Sequence, residues 1–351
     1  MIAALVTEPG VAHSTRVEQV DEPAGDGVLL RVLEVGVCGT DREISEGLFG
    51  VAPDGADRLV LGHESLAVVE RDGSGFARGD LVCALVRRSC GRCLACTEGA
   101  PDSCLTGDYR ERGITRLDGF ARELVLEDAD QLVPIPRSVG RLGVLAEPAS
   151  ICARGVRHAL AIGARQPWTP KRALVLGAGA VGLLSTMLLR LEGLDVWTAS
   201  LEASSEIAEA LGARYVSTRT TELSELGGFD VVVEAAGNAQ LMAKALGLLR
   251  RSGVACLLGI DGRAQTVELD GRAIGVDTIL ENRVLFGSVN AHRQDWLAGV
   301  AALDRARARF PGALEALVAL RVPLDRFAEA FAFRGGKATL VLDDTPAATG
   351  G

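Results

Sequence analysis

Apolar and polar positions in the first part of the chain form short runs broken by turn residues. Val28–Val37, Leu66–Glu70 and Leu81–Val86 are apolar stretches bounded by Gly, Asp and Pro, the pattern of short strands. The opening MIAALVTEPG reads as a first strand, and Leu132–Pro136 (LVPIP) closes the region. This spacing suits a compact barrel-like β domain better than strands alternating with helices.

From about Leu142 the pattern changes. Leu145–Leu160 is Ala-rich and predicts a helix. A short buried strand, Ala173–Leu176, leads through a glycine-rich turn into an apolar helix, Val181–Leu191. Strand Asp195–Ala199, helix Ser204–Leu211, strand Asp230–Glu234, helix Leu241–Leu249 and strand Val254–Gly259 follow. Strands alternating with helices predict a parallel, doubly wound sheet. After Asn290 the chain reads as three helices, Trp296–Arg307, Ala313–Leu320 and Asp325–Arg334, then a strand, Lys337–Leu342. This last segment is expected to return to the first domain. The expected domains are therefore 1–153 with 291–351, and 154–290. The small polar tail Asp344–Gly351 is expected to be disordered.

The 351 residues suit two domains or one large one. Forty-eight percent are apolar and only 4% aromatic, so the cores should be built from Ala, Val and Leu. The net charge is −9, from 37 basic and 46 acidic residues, with no basic block; this argues against a nucleic-acid partner. No apolar run reaches the ~20 residues of a membrane span. The N-terminus lacks the basic and long apolar regions of a signal peptide. A cytoplasmic protein without a membrane partner is the expectation.

Four of the eight cysteines, Cys90, Cys93, Cys96 and Cys104, form C-x2-C-x2-C-x7-C. Two-residue spacings let successive thiolates face one ion, and four thiolates close a tetrahedral zinc site with no open position. A structural zinc is expected there. An iron–sulfur site shares such spacing, but the ligand type favours zinc, and four unrelated thiols at these intervals are a poor coincidence.

Cys38 lies in Val37-Cys38-Gly39-Thr40-Asp41, His63 and Glu64 in Leu61-Gly62-His63-Glu64, and Glu147 in Leu145-Ala146-Glu147-Pro148. Singly, each has a plain structural reading: a small buried hydrophobe, a core histidine, a helix-start acid. Together they supply a thiolate, an imidazole and two carboxylates, a set that can hold a catalytic zinc with a position left for substrate. Such an ion polarises a carbonyl or stabilises an alkoxide. Thr40 is placed to bind the substrate oxygen and pass its proton outward.

Gly177-Ala178-Gly179-Ala180-Val181-Gly182 fits G-x-G-x-x-G between a strand and an apolar helix, the context that makes this motif a dinucleotide site. Its glycines let the backbone approach a pyrophosphate at the helix N-terminus. After the second strand comes Ala199-Ser200-Leu201-Glu202. Glu202 stands where an acid accepts the ribose 2′-hydroxyl, with Ser200 as the other register and a solvated helix-start acid as the plain reading. No Arg or Lys occurs between Asp195 and Arg214, so NAD is favoured over NADP.

The chain resembles the medium-chain zinc alcohol dehydrogenases over essentially its whole length. Val37–Asp41, Gly62–Glu64, Gly79-Asp80-Leu81-Val82 and the four-cysteine stretch carry the resemblance. Within that family it is most similar to the glucose 1-dehydrogenases of archaeal type. The residues are Leu59–Glu64, Arg87-Arg88, Glu111-Arg112-Gly113-Ile114, Glu147-Pro148 and Gly287-Ser288-Val289-Asn290. The resemblance implies an α/β protein: a GroES-like catalytic domain and a Rossmann domain, with the active site in a cleft. It implies a catalytic zinc at Cys38, His63 and Glu147 with Glu64 nearby or exchanging with water, two zinc ions per chain, and a homodimer or homotetramer. It implies substrate contacts from Thr40, Glu111, Glu147 and Asn290, and a nicotinamide lined by Ala236, Gly237, Gly259, Ile260 and Val289.

Two departures stand out. Ala67 replaces the family's glycine three residues after the His-Glu pair, and the basic residues that NADP-using relatives place after the second strand are missing. The expected activity is hydride transfer between NAD(P) and a secondary alcohol of a free aldose. The alternatives are a cyclitol or amino-sugar dehydrogenase, a redox-neutral epimerase, or a dinucleotide-binding protein without turnover; the complete zinc set disfavours the last.

Overall fold

The computed structural model describes residues 1–263 and 265–344. Most of the tail expected to be disordered lies outside the described residues. The strands that position the site are, in chain order, β1 (Val28–Val37), β2 (Glu64–Val69), β3 (Leu81–Ala84), β4 (Leu124–Glu127), β5 (Leu132–Pro134), β6 (Arg172–Leu176) and β7 (Asp195–Ser200). They continue as β8 (Arg214–Ser217), β9 (Phe229–Glu234), β10 (Leu249–Leu257), β11 (Val284–Gly287), β12 (Val318–Pro323) and β13 (Lys337–Val341). The helices are α1 (Gly39–Ser45), α2 (Ala146–Gly163), α3 (Ala180–Leu191) and α4 (Arg293–Arg309).

The chain forms two compact units. The first comprises residues 1–147, 292–304 and 318 onward; the second comprises 148–291 and 305–317. Residues 305–317, expected with the first domain, thus lie with the second. Arg305 donates to the Leu191 carbonyl at the end of α3, and the Ala313–Leu317 helix packs on the Glu206–Ala210 helix.

The first unit is built on a seven-stranded sheet of order β5-β3-β2-β1-β13-β12, with β4 also paired to β1. The strand Ile2–Thr7 belongs to a separate three-stranded sheet. Val28, Leu30, Val32, Val35, Val69, Val82, Phe120 and Val125 pack one core. Alternate positions of paired strands point to one face, and here Val and Leu fill it. In the second unit six parallel strands run β8-β7-β6-β9-β10-β11. Burial on both faces explains the continuous apolar runs of β6 and β9.

Two predicted elements change, and two strands appear that the pattern did not predict. The helix expected over Ala313–Leu320 stops at Leu317, because Val318–Pro323 pairs in parallel with β13. The helix expected over Leu241–Leu249 is Ala239–Lys244 followed by a tight 3₁₀ turn, and β10 already begins at Leu249. Strands β8 and β11 lie at the two edges of the second sheet and are only partly buried; β8 lacks an apolar run, and that of β11, Val284–Phe286, is short.

Candidate active site

Cys38 ends β1 and caps α1. Its sulfur accepts the Thr40 amide at 3.2 Å, while the Asp41 carboxylate accepts the Cys38 amide at 2.9 Å. This reciprocal cap fixes where the sulfur points. His63 immediately precedes β2 and is buried. Its Nε2 lies 3.1 Å from Cys38 Sγ and its Nδ1 lies 3.4 Å from an Asp41 oxygen. A carboxylate on Nδ1 orients the ring and leaves Nε2 as the metal-facing nitrogen. Asp41 carries no role in the sequence motif by itself; its position three residues after the cysteine, where a helix cap places an acid, is the signal for it.

Glu64 and Glu147 complete a second cluster around the same histidine. Ligand atoms of His63, Glu64 and Glu147 lie within 4.8 Å of one another, as do those of Cys38, Asp41 and His63. The four expected ligands therefore meet through His63 rather than as one equidistant set. Glu64 is committed elsewhere: Lys337 Nζ, from β13, donates to both its oxygens at 2.6 Å. Both groups are almost fully buried. Glu64 faces Gly36 across the β1–β2 pair, and a Cβ on Gly36 would fall 2.0 Å from a Glu64 oxygen. Only glycine leaves room for this carboxylate. Lys337 stands in the last strand, 273 residues from Glu64, and no local pattern announced it.

The electrostatics explain why a cation belongs here. Burial pushes the Glu147 carboxyl up to about 7, with Glu64 and Asp41 adding repulsion and His63 opposing it. Burial disfavours the His63 imidazolium, but the negative charges of Cys38 and Asp41 outweigh it and raise its pKa well above the usual value. Three carboxyl groups and a thiol crowd around one lysine and one histidine. A buried surplus of anionic donors of mixed softness fits Zn²⁺. Cys38, His63 and Glu147 are the residues that would hold it.

The second cluster behaves differently. Sγ atoms of Cys90, Cys93, Cys96 and Cys104 all lie within 4.8 Å of one another. The Thr106 hydroxyl and the amides of Arg92 and Cys93 pull the Cys90 thiol down to about 5. The Leu105 amide donates to Cys93 Sγ at 3.4 Å. Backbone amides aimed at sulfur stabilise thiolates, so this loop fits a four-thiolate zinc. Beside it, Glu111 is buried, and Arg87 Nε donates to its carboxylate at 2.9 Å. Arg87 also donates to the Asp102 carbonyl and covers the Tyr109 ring at 3.7 Å. Glu111 stands outside both metal clusters.

In the second unit, β6 enters the turn Gly177–Gly182 and α3. Gly177 has φ +113°, and a Cβ on Gly182 would lie 2.0 Å from the Gly177 carbonyl. Gly179 caps α3, and a Cβ there would meet nothing within 4 Å. The helix mouth is thus open at the point where a pyrophosphate would sit. Val181 is half-buried behind it, its carbonyl accepting from Cys152 Sγ.

At the end of β9, fully buried Glu234 accepts the amides of Ala236 and Asn238 at 2.9 and 3.3 Å. This shapes the turn carrying Ala236 and Gly237. A Cβ on Gly237 would fall 2.6 Å from the Ile260 carbonyl, so the turns after β9 and β10 touch, bringing Ala236, Gly237, Gly259 and Ile260 together. Val289 and Asn290 follow β11, with Val289 exposed and Asn290 at φ +60°.

The Ser200 hydroxyl donates to Glu202, which lowers the acid's pKa. The tertiary structure brings a basic residue to this loop from beyond the Asp195–Arg214 stretch. Arg219, in the loop after β8, donates through Nε to the Leu201 carbonyl at 2.9 Å.

Comparison with known proteins agrees with this geometry. Residues 24–137 match the alcohol dehydrogenase GroES-like domain, and residues 140–343 match the glucose dehydrogenase C-terminus. Glucose 1-dehydrogenase of Methanocella arvoryzae is 41% identical over 94% of this chain and 95% of its own. That of Thermoproteus tenax is 40% identical over 97% and 98%. Haloferax mediterranei glucose dehydrogenase in complex with NADP, Zn and gluconolactone superposes with a TM-score of 0.89 at 31% identity, over 98% of this chain and 100% of its own. With both domain models matched and the zinc donors gathered around His63, the chain belongs to the glucose dehydrogenase family of zinc-dependent medium-chain alcohol dehydrogenases.

Proposed function

We propose that the chain oxidises the anomeric ring alcohol of a free aldose, such as glucose, to the lactone with NAD(P) as hydride acceptor. One observation carries the reading: Cys38 Sγ and His63 Nε2 lie 3.1 Å apart, with Asp41 on the far nitrogen and Glu147 alongside. The substrate class is supported by the Methanocella relative, a glucose 1-dehydrogenase, and by the Haloferax structure, which holds gluconolactone.

Zinc bound by Cys38, His63 and Glu147 supplies Lewis acidity toward the substrate oxygen. The protein's own groups do the rest. Asp41 holds the imidazole in its metal-facing tautomer. Lys337 neutralises Glu64 and keeps it as a counter-charge at the edge of the donor set. The Thr40 hydroxyl takes the alcohol proton and passes it outward as the C–H hydride leaves for the nicotinamide ring. Glu111, fixed by Arg87, and Asn290 are the candidates for the remaining sugar hydroxyls. The α3 mouth binds the pyrophosphate, and Ala236, Gly237, Gly259, Ile260 and Val289 line the nicotinamide.

The test is dinucleotide reduction across aldoses, cyclitols and amino sugars. NAD(P)H formation with glucose is expected. Silence on every aldose with signal on a cyclitol or amino sugar would move the chain to those substrates.

We also infer a homodimer or homotetramer. Strand β11 ends its sheet with an open edge, beside exposed Ile279, Leu280 and Leu285, a surface that favours pairing. A monomeric mass in solution at micromolar concentration would overturn this. No helix among the described residues is long and apolar enough to cross a membrane. All eight cysteines are unbridged thiols, which suits the reducing cytoplasm.

A further inference from the structure

Glu234 ends β9, which pairs with β6 where the strand order of the second sheet reverses. Ligands of doubly wound sheets bind outside the carboxyl ends of the strands at that point. The Glu234 side chain is fully buried. Its Oε1 accepts the amides of Ala236 and Asn238. Its Oε2 is closed off from solvent and makes no hydrogen bond among the described residues. A Cβ on Gly259 would fall 2.7 Å from this oxygen and 2.2 Å from the Gly237 nitrogen. The carboxylate therefore lies where the turns after β9 and β10 cross, the turns that carry Ala236, Gly237, Gly259 and Ile260.

The other buried glutamates are compensated. Glu34, Glu64, Glu111 and Glu127 pair with Arg321, Lys337, Arg87 and Arg112. Glu234 has no basic partner among the described residues. The charged group that acts on it, Asp261, is a second acid, and Asp261 has its own cation in Arg263 at 2.7 Å.

A buried carboxylate without a cation is unfavourable, and its field is weakly screened. Burial raises the Glu234 pKa and Asp261 adds to the rise, while the amides of Asn238, Ala236 and Gly237 oppose it. Amides aimed at a carboxylate favour its charged form. The site thus supplies dipoles for an anion and lacks a positive charge.

We propose that Glu234 is the counter-charge of the oxidised nicotinamide ring, and so favours the oxidised dinucleotide over the reduced one. The inference rests on the dinucleotide reading above. The ring is cationic before it accepts hydride and neutral afterwards, so the attraction exists only in the first state. The protein holds the oxidised dinucleotide and releases the reduced one, the order that oxidation of an alcohol requires. Glu234 needs no contact with the ring, because unit charges in a protein interior act over several ångströms.

The experiment is calorimetric binding of oxidised NAD, NADH and ADP-ribose, which lacks the nicotinamide, to the wild-type, Glu234→Gln and Glu234→Asp proteins. The 2′-phosphorylated counterparts are run in parallel. Glu234→Gln keeps the shape and removes the charge; Glu234→Asp keeps the charge and shortens the arm. Glu234→Gln should weaken the oxidised dinucleotide by about tenfold. NADH and ADP-ribose should stay within about twofold of wild type. Glu234→Asp should keep the ratio of oxidised to reduced affinity within about twofold of wild type. If Glu234→Gln weakens all three ligands equally, the side chain only shapes the turns and the inference fails. It also fails if that variant leaves the ratio unchanged. Should Glu234→Gln not fold, Glu234→Asp decides, and a tenfold move of its ratio overturns the inference. If the wild type binds none of the three, the dinucleotide reading falls first and this one with it.

Discussion

The two metal clusters of the first unit are built on opposite principles. The four-cysteine cluster takes all its donors from Cys90–Cys104, a loop with a single helical turn at Leu94–Thr97 and a short 3₁₀ turn at Pro101–Ser103. Its thiolates are stabilised by nearby amides and a hydroxyl of the same loop. The His63 cluster gathers donors from the end of β1, the start of β2 and the start of α2. A fourth element, β13, supplies the balancing Lys337. The first is a local cluster whose donors are neighbours along the chain. The second is a cavity that the sheet holds open, with charges balanced by residues hundreds of positions apart. A local site should fail locally, and a scaffolded one should transmit its failure to the chemistry or to the fold.

The largest effect should come from Cys38→Ser. Losing a donor to the Lewis-acid ion should lower kcat by about a thousandfold, several kcal/mol, with the melting temperature little changed. A wild-type rate would remove Cys38 from the catalytic set. Next is Lys337→Met, which strands Glu64 in the core. Breaking a buried pair costs about 3–5 kcal/mol, seen as a lower denaturation midpoint. The double variant Lys337→Met/Glu64→Gln should recover most of it, and absence of recovery would show that the two side chains do not act as a pair.

Asp41→Asn should weaken zinc at the His63 site by about ten- to a hundredfold, as outer-shell partners of ligating histidines do. Chelator competition reads this directly, and the four-cysteine zinc serves as the internal control. Acid should discriminate in the same assay. Glu147, raised to about 7, and His63, raised well above its usual value, hold protons at pH 6 in the metal-free protein. Binding zinc must displace those protons. Affinity at the His63 site should therefore fall as pH drops below about 7, and a flat profile from pH 6 to 8 would contradict the charge balance described. The smallest effect should be that of Cys96→Ser. It should release one zinc per chain and lower the melting temperature by a few degrees, about 1–2 kcal/mol, while kcat at 25 °C stays near wild type.

The contrast between the clusters is also a contrast in what could be read from the chain. C-x2-C-x2-C-x7-C states its own site, since every donor and every spacing lies within fifteen residues. So does Gly177–Gly182, where strand, glycine turn and apolar helix are consecutive. Cys38, His63, Glu64 and Glu147 were legible only as a set, because each alone has an ordinary structural reading. The start of strand β12 reads as helix in the sequence because Val318–Leu320 continues a helical apolar spacing, and only its partner β13 decides otherwise.

What the sequence determined by itself is therefore whatever depends on neighbours along the chain: the fold class, the alternation of strand and helix, the glycine turn and the grouping of four thiols in one loop. The tertiary structure alone decided how those donors are balanced and oriented. Asp41 turns His63 toward Cys38. Lys337 comes from the far end of the chain to hold Glu64, in space left by Gly36. Arg219, in the loop after β8, reaches back to the Leu201 carbonyl. The physical reason is that charge compensation in a buried or enclosed site is set by distance in space, and a sheet brings together strands whose separation in sequence carries no trace of that distance.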